Sequence, residues 1–345
     1  MSQLIRALVV DDSAFVRKTV REMLSRSPYI EVVGVARDGE EALEMVQALK
    51  PDVITCDLIM PGLDGVGFVR AQMARHPVPI LILTSSPHDG EQVIEALNAG
   101  AVDLVQKPSA LATDELLNIR EQLVDKVKAA ARAPVRNLLN GVAHPTLAPV
   151  AASRTLNVDI VVLGISTGGP QALRRLIPEF PANFPVPIAM VLHMPVGYTA
   201  LFAEKLNEIS PLSVIEAKEG DVLRAGVALL APAGRHLQFR RDAHGDVVAH
   251  LSMKPLDKNH RPSVDVLFQS AAEIYGRRVL GVVMTGMGDD GRQGAGWIKA
   301  QGGMILTEDE QSCIIYGMPR SVVESGLSDR AVTLDGMAQA IIEHL

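Results

Sequence analysis

Cysteine and long apolar runs are scarce in this sequence, and each shortage excludes a class of protein. The two cysteines, Cys56 and Cys313, lie far apart in the chain. They predict neither a disulfide framework nor a zinc cluster, so we expect a reducing, cytoplasmic environment. No apolar run approaches the roughly 18 residues of a membrane-spanning helix. The short apolar run at the N-terminus ends in two acids, and we therefore expect no signal peptide.

Positive charge and aromatic side chains are also in short supply. The 33 lysine and arginine residues are outnumbered by 40 aspartates and glutamates, which gives a net charge of −7. This acidic balance argues against a nucleic-acid binder, because such proteins depend on contacts with phosphates. Aromatic residues make up only 3% of a chain that is 48% apolar. The cores are therefore expected to consist mainly of aliphatic side chains, alanine and methionine.

The length of 345 residues favours two domains. Residues 1–125 alternate five strand-like and helix-like segments, which predicts an α/β domain with a doubly wound, five-stranded parallel sheet. Residues 126–156 are rich in proline and small residues and are interpreted as an interdomain linker. Residues 157–345 repeat the strand–helix alternation and predict a second α/β domain with a mainly parallel sheet, although 212–251 show only short strands with turns.

Polar residues stand where four strands of the first domain are predicted to end. Asp11 and Asp12 follow the first strand, Asp57 ends the third, Thr84 ends the fourth, and Lys107 follows the fifth. Each alone could be a solvated charge or a helix N-terminus, but the four strand ends should meet at one edge of the sheet. Clustered carboxylates suit Mg²⁺, which prefers oxygen ligands. The pattern predicts a phosphoryl-accepting aspartate, with the lysine and the threonine hydroxyl contacting the phosphoryl group.

The segments that carry these residues resemble the receiver domain of two-component response regulators over about residues 4–122. The matching segments are VVDDS, CDLIMPGLDG, LTSS and KPS. The resemblance implies that Asp57 is phosphorylated by a histidine kinase. It also implies that Asp12, Asp57 and the backbone carbonyl of Ile59 hold the Mg²⁺ ion that phosphorylation requires.

The second half of the chain contains a glycine-flanked serine directly after an apolar strand. Gly164, Ser166 and Gly168 fit the G-x-S-x-G pattern of a nucleophile turn. Glycines permit a tight turn from strand to helix, and the amides at the start of the following helix would point towards the site. A structural turn or a phosphate-binding loop has the same pattern, so these residues alone do not establish a nucleophile.

A serine nucleophile needs a base, and the base needs an acid to orient it. His193 stands at the carboxyl end of the strand PIAMVL, while His236 and His260 are alternatives. The strand VLGVVMTG is followed by Asp289 and Asp290, between which the sequence does not choose.

The backbone amides of residues 286–288 are candidate donors to an oxyanion, worth roughly 3 kcal/mol. The order serine, histidine, aspartate differs from that of the α/β-hydrolases, so the motif does not indicate that fold.

The second half is similar to the chemotaxis protein-glutamate methylesterase family, CheB, over about residues 157–325. The matching segments are GISTGGP, LHMPVGYT, APAGRH, NHRPSVDVLF, TGMGDDG and CIIYGMP. The resemblance implies that Ser166 is the nucleophile, His193 the base and Asp290 the orienting acid. It further implies that the Met287 backbone contacts the oxyanion and that Thr167 lies beside the nucleophile.

This resemblance implies a phosphorylation-activated hydrolase that cleaves glutamate methyl esters on methyl-accepting chemotaxis receptors. The same chemistry on glutamine would release ammonia, so a glutaminase activity is also expected. The expected phosphodonor is the chemotaxis histidine kinase CheA, and the esterase step is expected to need no cofactor. Neither nucleic-acid binding nor membrane insertion is expected. We further expect the unphosphorylated receiver domain to cover the esterase cleft and phosphorylation to favour the open state.

Two other classes of protein are alternatives to this interpretation. A response regulator whose second half only binds a phosphate or a partner helix would also place STGG at a helix N-terminus. Intact ester cleavage after Ser166→Ala would favour this alternative over the enzyme. A transcription factor is disfavoured by the acidic balance and by the lack of a helix-turn-helix signal near the C-terminus.

Overall fold

The structure is a computed structural model that describes residues 4–84, 89–107, 113–134 and 157–345. The chain divides into two compact units, one that contains the described residues up to 134 and one that contains those from 157.

The first unit is a five-stranded parallel sheet in which each strand is followed by a helix. Its strand order is β2-β1-β3-β4-β5, and every neighbouring pair is parallel. This arrangement confirms the doubly wound fold that the sequence predicts. The elements are β1 (Ile5–Val10), α1 (Ala14–Ser25), β2 (Ile30–Ala36), α2 (Gly39–Leu49), β3 (Val53–Asp57), α3 (Gly65–Arg75), β4 (Ile80–Thr84), α4 (Gly90–Asn98), β5 (Asp103–Gln106) and α5 (Thr113–Ala130).

Local sequence explains how the strands and helices of this unit begin and end. Strands β3 and β4 are buried along their whole length, because helices cover both faces of a parallel sheet. The hydroxyl of Ser13 accepts a hydrogen bond from the amide of Val16 at 3.4 Å and caps α1. Gly100 follows α4 with a φ of +114°, a conformation that glycine adopts without steric cost. Helix α5 continues to Ala130, beyond the boundary expected at residue 125.

The second unit contains a larger parallel sheet and a separate hairpin. The seven strands have the order β14-β13-β12-β6-β7-β9-β8, and all their pairs are parallel, whereas β10 and β11 pair antiparallel. The elements are β6 (Ile160–Ile165), α6 (Gly169–Leu176), β7 (Ile188–Leu192), α7 (Thr199–Glu208), β8 (Ser213–Glu216), β9 (Val227–Leu230), β10 (His236–Arg241), β11 (Val247–Ser252), α8 (Val264–Tyr275), β12 (Val279–Val283), α9 (Arg292–Ala300), β13 (Met304–Glu308), α10 (Met318–Glu324), β14 (Arg330–Val332) and α11 (Leu334–Glu343).

The predicted α/β class of the second unit is confirmed, but its edges hold elements that the sequence did not resolve. The short strands expected within 212–251 separate into two neighbouring strands at one end of the main sheet, β8 and β9, and the hairpin. Strand β14 and helices α10 and α11 were not predicted. β14 spans only three residues and α10 only seven, too few for a clear hydrophobic period.

Helix α8 lies in the core and brings its N-terminus to the carboxyl edge of the sheet. Val264 and Phe268 are fully buried. A Cβ added to Gly164 would lie 2.2 Å from Val264 Cγ1, and one added to Gly294 would lie 2.6 Å from Phe268 Cβ. Glycine at both positions therefore lets α8 pack directly on β6 and α9. Truncating Phe268 to alanine is expected to cost about 3–5 kcal/mol of stability.

In the part of the chain that the structure describes, no helix is both long enough and apolar enough to span a membrane.

Candidate functional site

The polar residues of the first unit converge at the carboxyl edge of its sheet. Asp11, Asp12 and Asp57 each place a carboxylate oxygen within 4.8 Å of the others. Lys107 Nζ lies 2.7 Å from Asp57 Oδ2 and 3.0 Å from Asp11 Oδ2. The amide of Lys107 donates to the carbonyl of Thr84 at 2.7 Å, which brings the fourth strand end to the same place.

Burial and the neighbouring charges shift the pKa values of the residues in this pocket in opposite directions. Burial raises the pKa of Asp57, and the hydrogen bond from Lys107 lowers it only in part. Burial lowers the pKa of Lys107, but the hydrogen bonds to Asp57 and Asp11 and the charges of these two acids together outweigh burial and leave that pKa raised. Lys107 therefore stays cationic and partly neutralises the acids.

The pocket has the donor chemistry of a site for a hard divalent cation. Asp12 is exposed, whereas Asp11 and Asp57 are buried. The site is therefore open to solvent at Asp12 and enclosed at the other two acids. Three carboxylates supply the oxygen ligands that Mg²⁺ prefers, and the residues fit this ion. The amide of Ile59 donates to Asp57 Oδ1 at 3.3 Å and holds the segment after β3 against the phosphoacceptor candidate.

In the second unit, the sheet register places Ser166 next to His193. Ile165 pairs with Leu192 at the ends of β6 and β7, and the amide of His193 donates to the carbonyl of Ile165 at 3.1 Å. The serine and the histidine are therefore the first residues beyond two neighbouring parallel strands. Gly168 closes the turn after the serine with a φ of +81°, and a Cβ there would lie 2.7 Å from Ile314. Only glycine combines that conformation with that contact.

Asp290 contacts the ring of His193 and accepts four hydrogen bonds. His193 Nε2 lies 2.8 Å from Asp290 Oδ2, which also accepts the Val264 amide at 2.8 Å. Oδ1 accepts the Ser263 hydroxyl at 2.8 Å and the Asp265 amide at 3.0 Å. Burial raises the pKa of Asp290, but the hydrogen bond and charge of His193, with the two amides, hold it well below its usual range. The acid is therefore ionised, at the N-terminus of α8.

This contact defines which ring nitrogen of His193 is available as a base. Because Nε2 faces an ionised carboxylate, it carries the proton, and Nδ1 is the acceptor. Nδ1 is buried and has no hydrogen-bond partner among the described residues. No hydrogen bond joins Ser166 to His193 in the described chain, and such bonds are often long before substrate binds.

The two alternative histidines occupy different roles around this pair. His260 stacks on His193 with ring centroids 4.1 Å apart and an interplanar angle of 17°. His236 is fully buried, and burial lowers its pKa, so the ring is neutral. Its Nδ1 accepts the amide of Ser263 at 3.2 Å and its Nε2 contacts the carbonyl of Pro255 at 3.0 Å. His236 thus supports a residue that binds Asp290.

The two neighbouring aspartates also differ. The side chain of Asp289 is 64% exposed and pairs with Arg292 at 2.7 Å. Only Asp290 of the two contacts His193.

The segment after β12 passes directly beside the serine. A Cβ added to Gly286 would lie 2.8 Å from Ser166 Cβ, so glycine is required for this approach. The next amide, that of Met287, forms no hydrogen bond within the described residues and is available as a donor. Thr167, which follows the serine, is buried.

Sequence reasoning missed several buried residues that support the site. They are Ser263, Asp265, Thr285 and Glu308, which hold Asp290, the start of α9 and the turn at Ser166 through hydrogen bonds. Glu308 carries a signal, because it is an acid at the end of a strand that begins with three apolar residues. The other three stand among polar residues that are common near any turn.

These two sites and their folds define a response regulator that joins a receiver unit to a candidate serine hydrolase. The family profile described as CheB methylesterase matches residues 161–341, and that described as response regulator receiver domain matches residues 7–119. The chain therefore belongs to the CheB methylesterase family.

Relatives match along nearly the whole chain. The protein-glutamate methylesterase/protein-glutamine glutaminase 5 of Myxococcus xanthus is 49% identical over 343 residues, covering 99% of this chain and 98% of the relative. The protein-glutamate methylesterase/protein-glutamine glutaminase of Symbiobacterium thermophilum is 43% identical over 354 residues, covering 98% of this chain and 96% of the relative. The crystal structure of the Thermotoga maritima CheB methylesterase catalytic domain matches with a TM-score of 0.53 and 40% identity, covering 55% of this chain and 99% of that one.

Proposed function

We propose that this protein is a phosphorylation-activated serine hydrolase that removes methyl groups from glutamate methyl esters of chemotaxis receptors and deamidates receptor glutamines. The observation that carries the proposal is the contact of 2.8 Å between His193 Nε2 and Asp290 Oδ2. His193 and Ser166 directly follow two strands that pair with each other, β7 and β6. A buried, ionised acid that orients a histidine beside a serine is the arrangement that activates a hydroxyl nucleophile.

The reaction follows from the atoms that these residues present. Ser166 Oγ attacks the γ-carbonyl carbon of the ester, and His193 Nδ1 takes the hydroxyl proton. The Met287 amide donates to the oxyanion that forms, and the buried Thr167 helps to shape the turn. Collapse of the intermediate breaks the bond to the methoxy group, which leaves as methanol with the proton from His193. Water then hydrolyses the acyl-enzyme by the same proton transfers, while Asp290 remains ionised throughout.

The first unit supplies the control in this proposal. Residues 1–125 form the receiver domain, 126–156 the linker and 157–345 the catalytic domain. A histidine kinase of the CheA type donates the phosphoryl group to Asp57. Asp12, Asp57 and the Ile59 carbonyl would hold Mg²⁺, which neutralises charge on the incoming phosphoryl group. The esterase chemistry is assigned to protein side chains and the protein to the cytoplasm.

The first experiment measures methanol release from methylated receptor membranes by the wild type and by Ser166→Ala. Each protein is assayed with and without a small phosphodonor and Mg²⁺. We expect release that requires Ser166 and increases with the phosphodonor. Ammonia release from receptors that carry glutamine tests the glutaminase activity in the same preparations. Methanol release that persists in Ser166→Ala would overturn the assignment of the nucleophile.

The expected inhibition by the unphosphorylated receiver stays a prediction. A variant that lacks residues 1–130 should show higher basal methanol release than the full chain. A truncated enzyme no faster than the intact one would exclude inhibition by the receiver.

A further inference from the structure

Thr285 lies directly behind the serine turn and uses all its polar atoms there. Its carbonyl accepts the amide of Ser166 at 3.0 Å, and its hydroxyl donates to the carbonyl of Thr167 at 3.0 Å. The same hydroxyl oxygen accepts the amide of Ile315 at 2.9 Å. Its own amide donates to Glu308 Oε2 at 2.9 Å. One buried residue therefore connects the serine turn to two other segments.

The anchor of this connection, Glu308, is itself fully enclosed. It is 0% exposed, and its second oxygen, Oε1, accepts the hydroxyl of Ser312 at 2.9 Å. The Ser312 hydroxyl oxygen in turn accepts the amide of Leu334 at the start of α11. The carboxyl group is thus held from two directions, and it holds the amide of Thr285 in one position.

These bonds determine the orientation of the peptide group that joins Thr285 to Gly286. Its oxygen is held by the Ser166 amide, and its N–H donates to the carbonyl of Ile315 at 3.0 Å. Because both ends of this peptide plane are held, the plane cannot rotate without breaking a buried hydrogen bond. The next amide along the chain is that of Met287, the candidate oxyanion donor, so its direction depends on the same plane.

We propose that Thr285 is a positioning residue that fixes the position of the turn at Ser166 relative to the Met287 amide. This inference rests on the proposed function and deepens it. Thr285 is 1% exposed, so we assign it no contact with substrate. The alignment that it maintains matters where the oxyanion develops, which is in the transition state rather than in the bound ester. Loss of its hydroxyl should therefore lower kcat and leave KM nearly unchanged.

The test compares Thr285→Val, which has nearly the same shape but no hydroxyl, with Thr285→Ser, which retains it. We expect the valine variant to lose about 30-fold in kcat, equivalent to about 2 kcal/mol, with KM within about threefold of the wild type. The serine variant should recover most of that loss. If Thr285 only stabilised the fold, kcat would not be lost with the hydroxyl in the valine variant and restored with it in the serine variant.

A matched control is available on the neighbouring strand. Thr307 is also fully buried, but its hydroxyl bonds to Ser328, away from the serine turn. Thr307→Val removes a buried threonine hydroxyl in the same unit and should leave kcat within about twofold of the wild type. Melting temperatures of the variants show whether a lower rate merely follows a loss of folded protein.

Two substrates separate this inference from the proposed function. Hydrolysis of p-nitrophenyl acetate reports on the reactivity of Ser166 without a receptor, and methanol release reports on the receptor ester. If Ser166→Ala removes the first activity but wild type releases no methanol, the proposed substrate is wrong and Thr285 is still tested. A Thr285→Val variant with unchanged kcat, or with a loss no larger than that of Thr307→Val, would overturn the positioning role.

Discussion

Replacing Asp290 with asparagine removes the charge that holds His193 while keeping the shape of the side chain. The carboxylate accepts four donors, from His193, Ser263, Val264 and Asp265, at 2.8 to 3.0 Å. Asparagine offers one oxygen in place of two, so at least one buried N–H loses its acceptor. If the new amide group faces His193, it donates to Nε2 and forces the proton onto Nδ1, the nitrogen proposed to act as base.

Two magnitudes follow from this arrangement. The same change in a serine protease triad lowers kcat about 10⁴-fold because the histidine adopts the wrong tautomer. We expect a loss of about 10³ to 10⁴ here, or about 4 to 5.5 kcal/mol of transition-state stabilisation. The unpaired buried N–H should cost about 1–3 kcal/mol of folding stability.

The assay combines methanol release with urea unfolding at several pH values. The pKa of Asp290 is lowered in the folded state. It therefore contributes stability that is fully present above its unfolded pKa of about 4 and is lost as pH falls towards the folded pKa. Asp290→Asn lacks this contribution, so its stability should fall less than that of the wild type between about pH 5 and pH 3.

Asp289→Asn is the matched control, one residue away. Its side chain is 64% exposed and bonds to Arg292. We expect stability within about 0.5 kcal/mol of the wild type and an unchanged kcat. If Asp290→Asn retains more than a tenth of the wild-type kcat, or if Asp289→Asn loses as much, the assignment of Asp290 as the orienting acid is refuted.

Three further changes test other parts of the structure. Asp57→Asn should retain basal methanol release and lose its stimulation by a phosphodonor; stimulation that persists would place the phosphoacceptor elsewhere. His260→Ala should lower kcat about fivefold because it removes the ring stacked on His193, and His260→Phe should restore it. Burial raises the pKa of Glu308 to about 7, so the wild type should lose up to about 3 kcal/mol of stability between pH 4.5 and 7, where the unfolded state alone ionises. Glu308→Gln should not show this loss in urea unfolding, and parallel stability curves for the two proteins would contradict the raised pKa of Glu308.

The first domain could be predicted almost entirely from local sequence. Alternating buried strands and capped helices carry strong periodic signals, and the parallel order brings the strand ends together. The grouping of Asp57 with Lys107 follows from that topology alone, because the carboxyl ends of all the parallel strands lie at one edge of the sheet. The pKa shifts of both groups required the structure, since they depend on burial.

The second domain was harder to predict, and its short edge elements show why. Strand β14 and helix α10 are held by tertiary contacts rather than by their own periodicity. The sequence of residues 212–251 indicated short strands with turns but not the partners of those strands. Which strands joined the main sheet and which formed the hairpin was decided by long-range pairing, which local patterns do not encode.

The sequence by itself determined the two α/β folds and placed Ser166 and His193 at strand ends, because strand periodicity and glycine turns are local properties. Its local pattern left Asp289 and Asp290 indistinguishable, since both acids follow the same strand, and only the family resemblance pointed to Asp290. The tertiary structure decided between them by turning one carboxylate towards the N-terminus of α8 and the other towards solvent. It also brought Thr285 and Glu308 behind the serine, a contact between separate strands that depends on how the whole sheet is assembled.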